Sequence, residues 1–258
     1  MIKGLYTGAA GMMTQLARQD TISNNLANVT TVGYKKDTAV SSSFPDMLIS
    51  RLGESTVKPS GKLVQLPPQV IGGLGTGAVI DRVYTNHDQG NLVETSSPLD
   101  LAITTDGFFA VETDQGIRYT RDGRLNLNAD GMLVNFNGQP ILDLSDAPIF
   151  LPQGELAISD NGEVYIDDEY QTTLKVVRFN QLDQLQKEGS VQYNSTEEPE
   201  VIMYPGIKQG WQESSNVNAI QEMVTLISVM RAYESCQKVI QAEDEMTQTA
   251  ITNASTMG

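Results

Sequence analysis

The sequence predicts an α+β protein. Two long helices, one near each end of the chain, form an antiparallel coiled-coil-like pair, and an antiparallel, hairpin-rich β domain lies between them. Three observations predict this: apolar residues recur at helical spacing near both ends, Asp-Gly and Asn-Gly pairs punctuate the middle, and charge is divided unevenly along the chain. The 258 residues suffice for one large domain or two modest ones. They divide into a helical assembly segment (1–35), an extended linker (36–70), a β domain (71–207) and a second helical assembly segment (208–258).

In the first segment Leu5, Ala9, Met12 and Leu16 step by four, three and four, and Ile22, Leu26 and Val29 follow at four and three, with Gln19 as a polar position in the seam. This is a heptad-like stripe. Gly33 suits the left-handed position beyond a helix, so the helix should end before it. The linker carries Ser41, Ser42, Ser43, Pro45, Pro59, Pro67 and Pro68; Phe44, Met47, Leu48, Ile49 and Leu52 are expected to make one short helix in otherwise extended chain.

In the middle, Asp106-Gly107, Asp122-Gly123, Asp130-Gly131, Asn137-Gly138 and Asn161-Gly162 mark tight turns, and Gln115-Gly116 adds another. Both members of such pairs tolerate positive φ, which hairpin turns require. Short alternating strands lie between them, at Ile117/Tyr119, Leu125/Leu127, Leu156/Ile158, Val164/Ile166 and Leu174/Val176. In the last segment Val217, Ile220, Val224 and Ile227 step by three, four and three, and Met230, Tyr233, Cys236 and Ile240 continue the stripe with drifting phase. Asn216 or Asn218 caps this helix, with Gln221 placed as in a capping box after Asn218. No proline follows Pro205, and a helix of about 30 residues is expected.

Composition excludes several classes. The net charge of −15 argues against nucleic-acid binding, which needs a basic stripe. Residues 1–62 have a balance of +3, residues 63–210 of −14 and residues 211–258 of −4, so the ends and the middle are different materials. No apolar run reaches the roughly 18 residues of a membrane span, so membrane insertion is not expected. The opening stretch is interrupted by Thr7, Gly8, Gly11 and Thr14, and no cleavable secretory signal is read there. The single cysteine, Cys236, makes no internal disulfide and reads as a small apolar residue.

No catalytic residue, metal site or cofactor is expected. The only histidine, His87, reads with Asp88 as a solvated turn pair, because no second histidine or cysteine cluster accompanies it. Asp167-Asp168-Glu169 lacks the spacing of a calcium loop, and the glycine-rich stretch 72–77 lacks the Lys-Ser/Thr of a phosphate loop.

The two terminal stripes must be buried somewhere. Fixing each residue costs about 1–2 kcal/mol of backbone entropy, and stripes rich in Ala and Met return little for it. A lone helix pair is marginal on that comparison, so the ends are expected to be loosely ordered in a monomer and helical in an assembly. Periodicity leaves two readings open: a helical hairpin within one chain, or burial against copies of the same chain.

The segment Asn24–Lys35 (NNLANVTTVGYK) is more specific, placing asparagines, a glycine and an aromatic at the helix exit; its counterpart is Ser214–Glu234 (SSNVNAIQEMVTLISVMRAYE). Together with GLYTGAAGM from Gly4, the stretch Gln89–Thr113 and the stretch Arg118–Leu142, these resemble the bacterial flagellar axial proteins of the hook and basal body, in particular the proximal- and distal-rod proteins. The resemblance covers most of the chain. It implies export through the flagellar type III apparatus without a cleaved signal. It also implies terminal helices packed into the inner tube of the rod and a β domain outside that tube, in the periplasm. The partners implied are copies of the chain, other rod and hook proteins, the export apparatus and the periplasmic ring bushing. The contact residues expected on the first helix are Leu5, Met12, Leu16, Ile22 and Leu26, and on the last Val217, Ile220, Val224, Ile227, Met230 and Tyr233. Asn24, Asn25, Asn28, Gly33 and Tyr34 should shape the helix exit. A secreted β-rich binding module or adhesin on a helical stalk is the competing reading, weakened because the only tryptophan, Trp211, lies at the β-to-helix junction rather than among the hairpins.

Overall fold

The chain opens and closes on helices: α1 runs Ile2–Ala27 and α2 runs Ala219–Thr256. The structure, a computed structural model, describes residues 2–45, 47–51, 55–57, 63–65 and 69–256. The expected α+β class with a strand-rich middle is what it shows. α2 is longer than its stripe predicted, at 38 residues. Of the two candidate caps, Asn218 starts it: its Oδ1 accepts from the amides of Ile220 (3.1 Å) and Gln221 (3.2 Å). α1 stops well before Gly33, which has φ +70°.

The chain packs as two compact units, each assembled from separate stretches. One contains the residues up to Ile22, Thr38–Val83 and the residues from Val224 onward; the other contains Ser23–Asp37 and Tyr84–Met223. They are called the terminal and the middle unit below.

In the terminal unit, α1 approaches α2 through glycines. A Cβ on Gly4 would meet the Glu243 side chain at 2.2 Å, one on Gly8 the Ile240 side chain at 2.9 Å, and one on Gly11 the Cys236 Sγ at 3.0 Å. The side chains of α2 thus fill the space that side chains at these glycines would need. Thr14 Oγ1 donates to the carbonyl of Ala78 at 3.0 Å, fixing α1 to the strand Ala78–Thr85. The short helix expected around Phe44–Leu52 does not form. Met47–Arg51 is a strand paired antiparallel with Gln69–Leu74, Met47 opposite Leu74 and Ile49 opposite Gly72. The physical reason is length: one or two turns cannot repay helix nucleation, whereas pairing with a β-branched neighbour (Val70, Ile71) satisfies the backbone at once. Leu52, Pro59, Pro67 and Pro68 lie outside the described residues.

The middle unit is built on an antiparallel six-stranded sheet in the order Gln186–Glu188, Gln192–Asn194, Gly116–Thr120, Phe108–Thr113, Val176–Arg178, Glu200–Val201. Phe108–Thr113 divides its side chains between two cores. Phe109 and Val111 join Leu101, Ile103, Leu133 and Ile141; Phe108 and Ala110 join Tyr119, Val177, Phe179 and Tyr193. The sequence reads as a continuous apolar run there because both faces of the strand are covered.

Four of the predicted turns have the glycine at positive φ: Gly116, Gly131, Gly138 and Gly162. The other two glycines serve a different purpose. A Cβ on Gly123 would lie 1.7 Å from the carbonyl oxygen of Leu101, and one on Gly107 2.9 Å from Val176 Cγ1, so these positions are empty because backbone or core passes through them. The acidic run is a two-residue hairpin turn, Asp167 (φ 50°) and Asp168 (φ 65°), joining Glu163–Ile166 to Glu169–Thr173.

Candidate functional site

The residues expected to make assembly contacts divide by exposure. On α1, Leu5 and Leu16 face solvent, Met12 and Leu26 are half-buried and Ile22 is buried. On the C-terminal side Val217 is buried and Tyr233 half-buried, but Ile220, Val224, Ile227 and Met230 are 45 to 77 % exposed. Ile220, Val224 and Ile227 stand at i, i+4 and i+7 on α2, so they share one exposed side of it. Val229, on another side of α2, is buried.

The helix-exit residues behave differently, and all of them sit in the middle unit. Asn24 is exposed and Asn28 half-buried, while Asn25, Gly33 and Tyr34 are buried. Asn25 treats Asp37 as a strand would: its Oδ1 accepts from the Asp37 amide (2.9 Å) and its Nδ2 donates to the Asp37 carbonyl (2.7 Å). The Tyr34 hydroxyl donates to the same Oδ1 at 3.1 Å. Burial, followed by the charges of Asp37 and Glu222, holds the Tyr34 phenol protonated far above its ordinary range. Lys187 Nζ sits 3.8 Å over the Tyr34 ring and bonds the Lys35 carbonyl (2.8 Å) and Asp37 Oδ2 (2.9 Å).

At the centre is Glu213, just before α2. Its Oε1 accepts from Lys35 Nζ (2.6 Å) and from the Gly90 amide (2.8 Å), and its Oε2 accepts from Arg121 Nε (2.6 Å). All three charged side chains are at most 4 % exposed. Burial raises the Glu213 carboxyl, but Arg121 and Lys35 outweigh it and hold the group below its ordinary value. Arg121 spends its other donors on the carbonyls of Gly107 and Thr105, and Lys35 bonds the Asp88 carbonyl at 2.8 Å. Asn216, the alternative cap, binds across the gap instead. Its Oδ1 accepts from the Lys36 amide (2.8 Å) and its Nδ2 donates to the carbonyls of Asn86 (2.9 Å) and Asp88 (3.1 Å). Lys36 Nζ pairs with Glu222 in the first turn of α2 at 2.5 Å.

His87 is not the solvated turn residue expected. Its ring packs against Phe108 (5.8 Å) and Tyr193 (5.3 Å), and its Nδ1 is buried with no hydrogen-bond partner among the described residues. Burial, reinforced by Lys35 and Lys187, pushes its pKa down from 6.5 to about 4. A depressed value means the folded state binds the proton less well than the unfolded one. The contribution of His87 is therefore complete above pH 6.5 and is lost as pH falls toward 4, at about 1.4 kcal/mol per pH unit within that window. His87→Gln should flatten the dependence of the urea midpoint on pH in that window; an unchanged slope would assign the acid sensitivity elsewhere.

Sequence reasoning missed Glu213, Arg121, Lys187 and the glycine row of α1. Lys35 and Asn216, like Gly4, Gly8, Gly11 and Arg121, lie in the stretches that carry the resemblance, which named them without giving them a role.

Three family models match the chain: the flagellar basal-body rod protein model over residues 5–35, the flagellar hook protein FlgE/F/G D1 domain over 102–166 and the flagellar basal body rod FlgEFG protein C-terminal model over 208–253. The chain is 33% identical over 265 residues to the flagellar basal-body rod protein FlgG of Buchnera aphidicola subsp. Acyrthosiphon pisum, covering 96% of this chain and 98% of that one. It is 30% identical to FlgG of Bacillus subtilis (96% and 97% covered) and 32% identical to the rod protein FlgF of Mesorhizobium japonicum (91% and 90%). The chain belongs to the flagellar basal-body rod proteins. This rod protein is a structural component of the flagellar basal body and not an enzyme. The matched end segments contain the exposed row on α2 together with Lys35 and Glu213, and the matched middle segment contains Arg121.

Proposed function

We propose that this rod protein is a subunit of the flagellar drive shaft and polymerises with copies of itself and with other rod and hook proteins through α1 and α2. In this reading the two helices pair antiparallel in coiled-coil fashion to form the inner tube, and the strand-rich middle lies outside it in the periplasm, facing the ring bushing. The chain reaches that place through the flagellar type III export apparatus without losing a signal peptide, and its terminal helices gain order as neighbours cover them.

One observation carries the reading: among the described residues Ile220, Val224, Ile227 and Met230 are apolar and exposed, with Leu5 and Leu16 in the same condition on α1. A row of this kind on a helix is a surface awaiting another protein surface. The order of the glycine contacts, Gly4 by Glu243 through Gly11 by Cys236, supports antiparallel pairing.

Ile227→Asp tests it. An exposed side chain contributes within about 0.5 kcal/mol to the free chain, so the variant should fold with a wild-type urea midpoint. It should nevertheless be missing from purified basal bodies and leave cells non-motile. Basal bodies carrying Ile227→Asp at wild-type occupancy would overturn assembly through this face.

A further inference from the structure

We propose that the stretch Asn25–Asp37 and the stretch from Glu213 into the first turn of α2 form an intramolecular clamp, so that the two sides of the chain order together within the free subunit. The reasoning goes beyond the assembly reading, because every contact involved lies inside the middle unit.

The clamp follows from what each half would be without the other. Glu213 is buried, and one of its two cations, Lys35, comes from the far side of the chain. Remove the N-terminal side and Glu213 Oε1 keeps only the Gly90 amide, while the carbonyl of Glu213 loses the Gly33 amide that donates to it at 2.8 Å. Asn216 Oδ1 loses the Lys36 amide, and Glu222, itself buried, loses Lys36 Nζ. Remove the C-terminal side instead, and Lys35 remains a buried cation held by one carbonyl. A half-satisfied buried polar network is worse than none, so neither half holds its place alone. The bonds of Asn25 to Asp37 stiffen the N-terminal half as a unit, which makes the loss on one side felt across the whole stretch. Within the motif, Gly33 and Lys35 therefore bind the chain's own other side, while Asn25 holds the N-terminal stretch together.

Native-state hydrogen exchange on the full-length chain tests this with one variant on each side, read at amides the mutated side chain does not touch. In Asn216→Ala, the amides of Gly33 and Asp37 should exchange about tenfold faster or more, the amount that losing a buried hydrogen-bonding group supplies. In Asn25→Ala, the amides of Gly90 and Ser214 should accelerate to a similar extent. The amides of Val111 and Tyr119 in the central sheet should not change in either. Should Asn25→Ala fail to fold, Tyr34→Phe, which removes one hydroxyl donor to Asn25, carries the same test with an acceleration of about fivefold. Acceleration confined to the mutated side in these variants would overturn the clamp.

Discussion

Glu213→Gln should destabilise the middle unit by about 3–5 kcal/mol, the cost of breaking a buried ion pair by removing one partner. The substitution keeps the shape and deletes only the charge. What remains is two buried cations, Lys35 and Arg121, at 1 % and 4 % exposure, facing a neutral amide that offers a single acceptor oxygen. Neither side chain has a route to water without pulling its stretch of backbone away. Arg178→Ala is the control. It breaks the Arg178–Glu200 pair, whose side chains are more than half exposed, and should cost under about 1 kcal/mol. Urea denaturation of both variants gives the comparison; equal effects would mean that burial does not govern the Glu213 network. Because the Glu213 carboxyl lies below its ordinary 4.5, its contribution is present above that pH and is lost as pH falls through the depressed value.

Gly33→Ala should cost about 2–5 kcal/mol, from a backbone conformation and a close approach. A residue with a Cβ is disfavoured by about 1–2 kcal/mol at φ +70°. The Cβ would also stand 2.5 Å from the Asp122 amide nitrogen and 2.6 Å from the Arg121 carbonyl carbon, both backbone atoms, and relieving such overpacking costs about 1–3 kcal/mol. Any shift moves Arg121 off Glu213 and stretches the bond from the Gly33 amide to the Glu213 carbonyl. Gly138→Ala isolates the first source. Its φ is +79° and its Cβ would meet nothing within 4 Å, so it should lose only the conformational share. If the two alanine variants melt at the same denaturant concentration, the close approach at Gly33 contributes nothing.

The two terminal helices, the Asn218 cap and the glycines at 116, 131, 138 and 162 were legible in the sequence, because each rests on local chemistry: a periodicity, a cap or a backbone conformation. What failed depended on partners far along the chain. Lys35 and Glu213 look like ordinary solvated charges until the fold places them together. His87 reads as a surface residue unless the aromatic wall of Phe108 and Tyr193 is known. On α1 the bulky residues drew attention, yet Gly4, Gly8 and Gly11 leave room for side chains of α2. The segment Met47–Arg51 was misread because a short apolar run carries no period long enough to separate helix from strand.

Lys35 and Glu213 are 178 positions apart. Contacts of such high contact order form slowly, since the entropy of closing a very long loop must be met before any bond is gained. The Lys35–Glu213 pair should therefore close late in folding, after the shorter-range contacts of the middle unit. On the export route proposed above, in which the chain is moved lengthwise before it assembles, slow closure is a working interval rather than a defect.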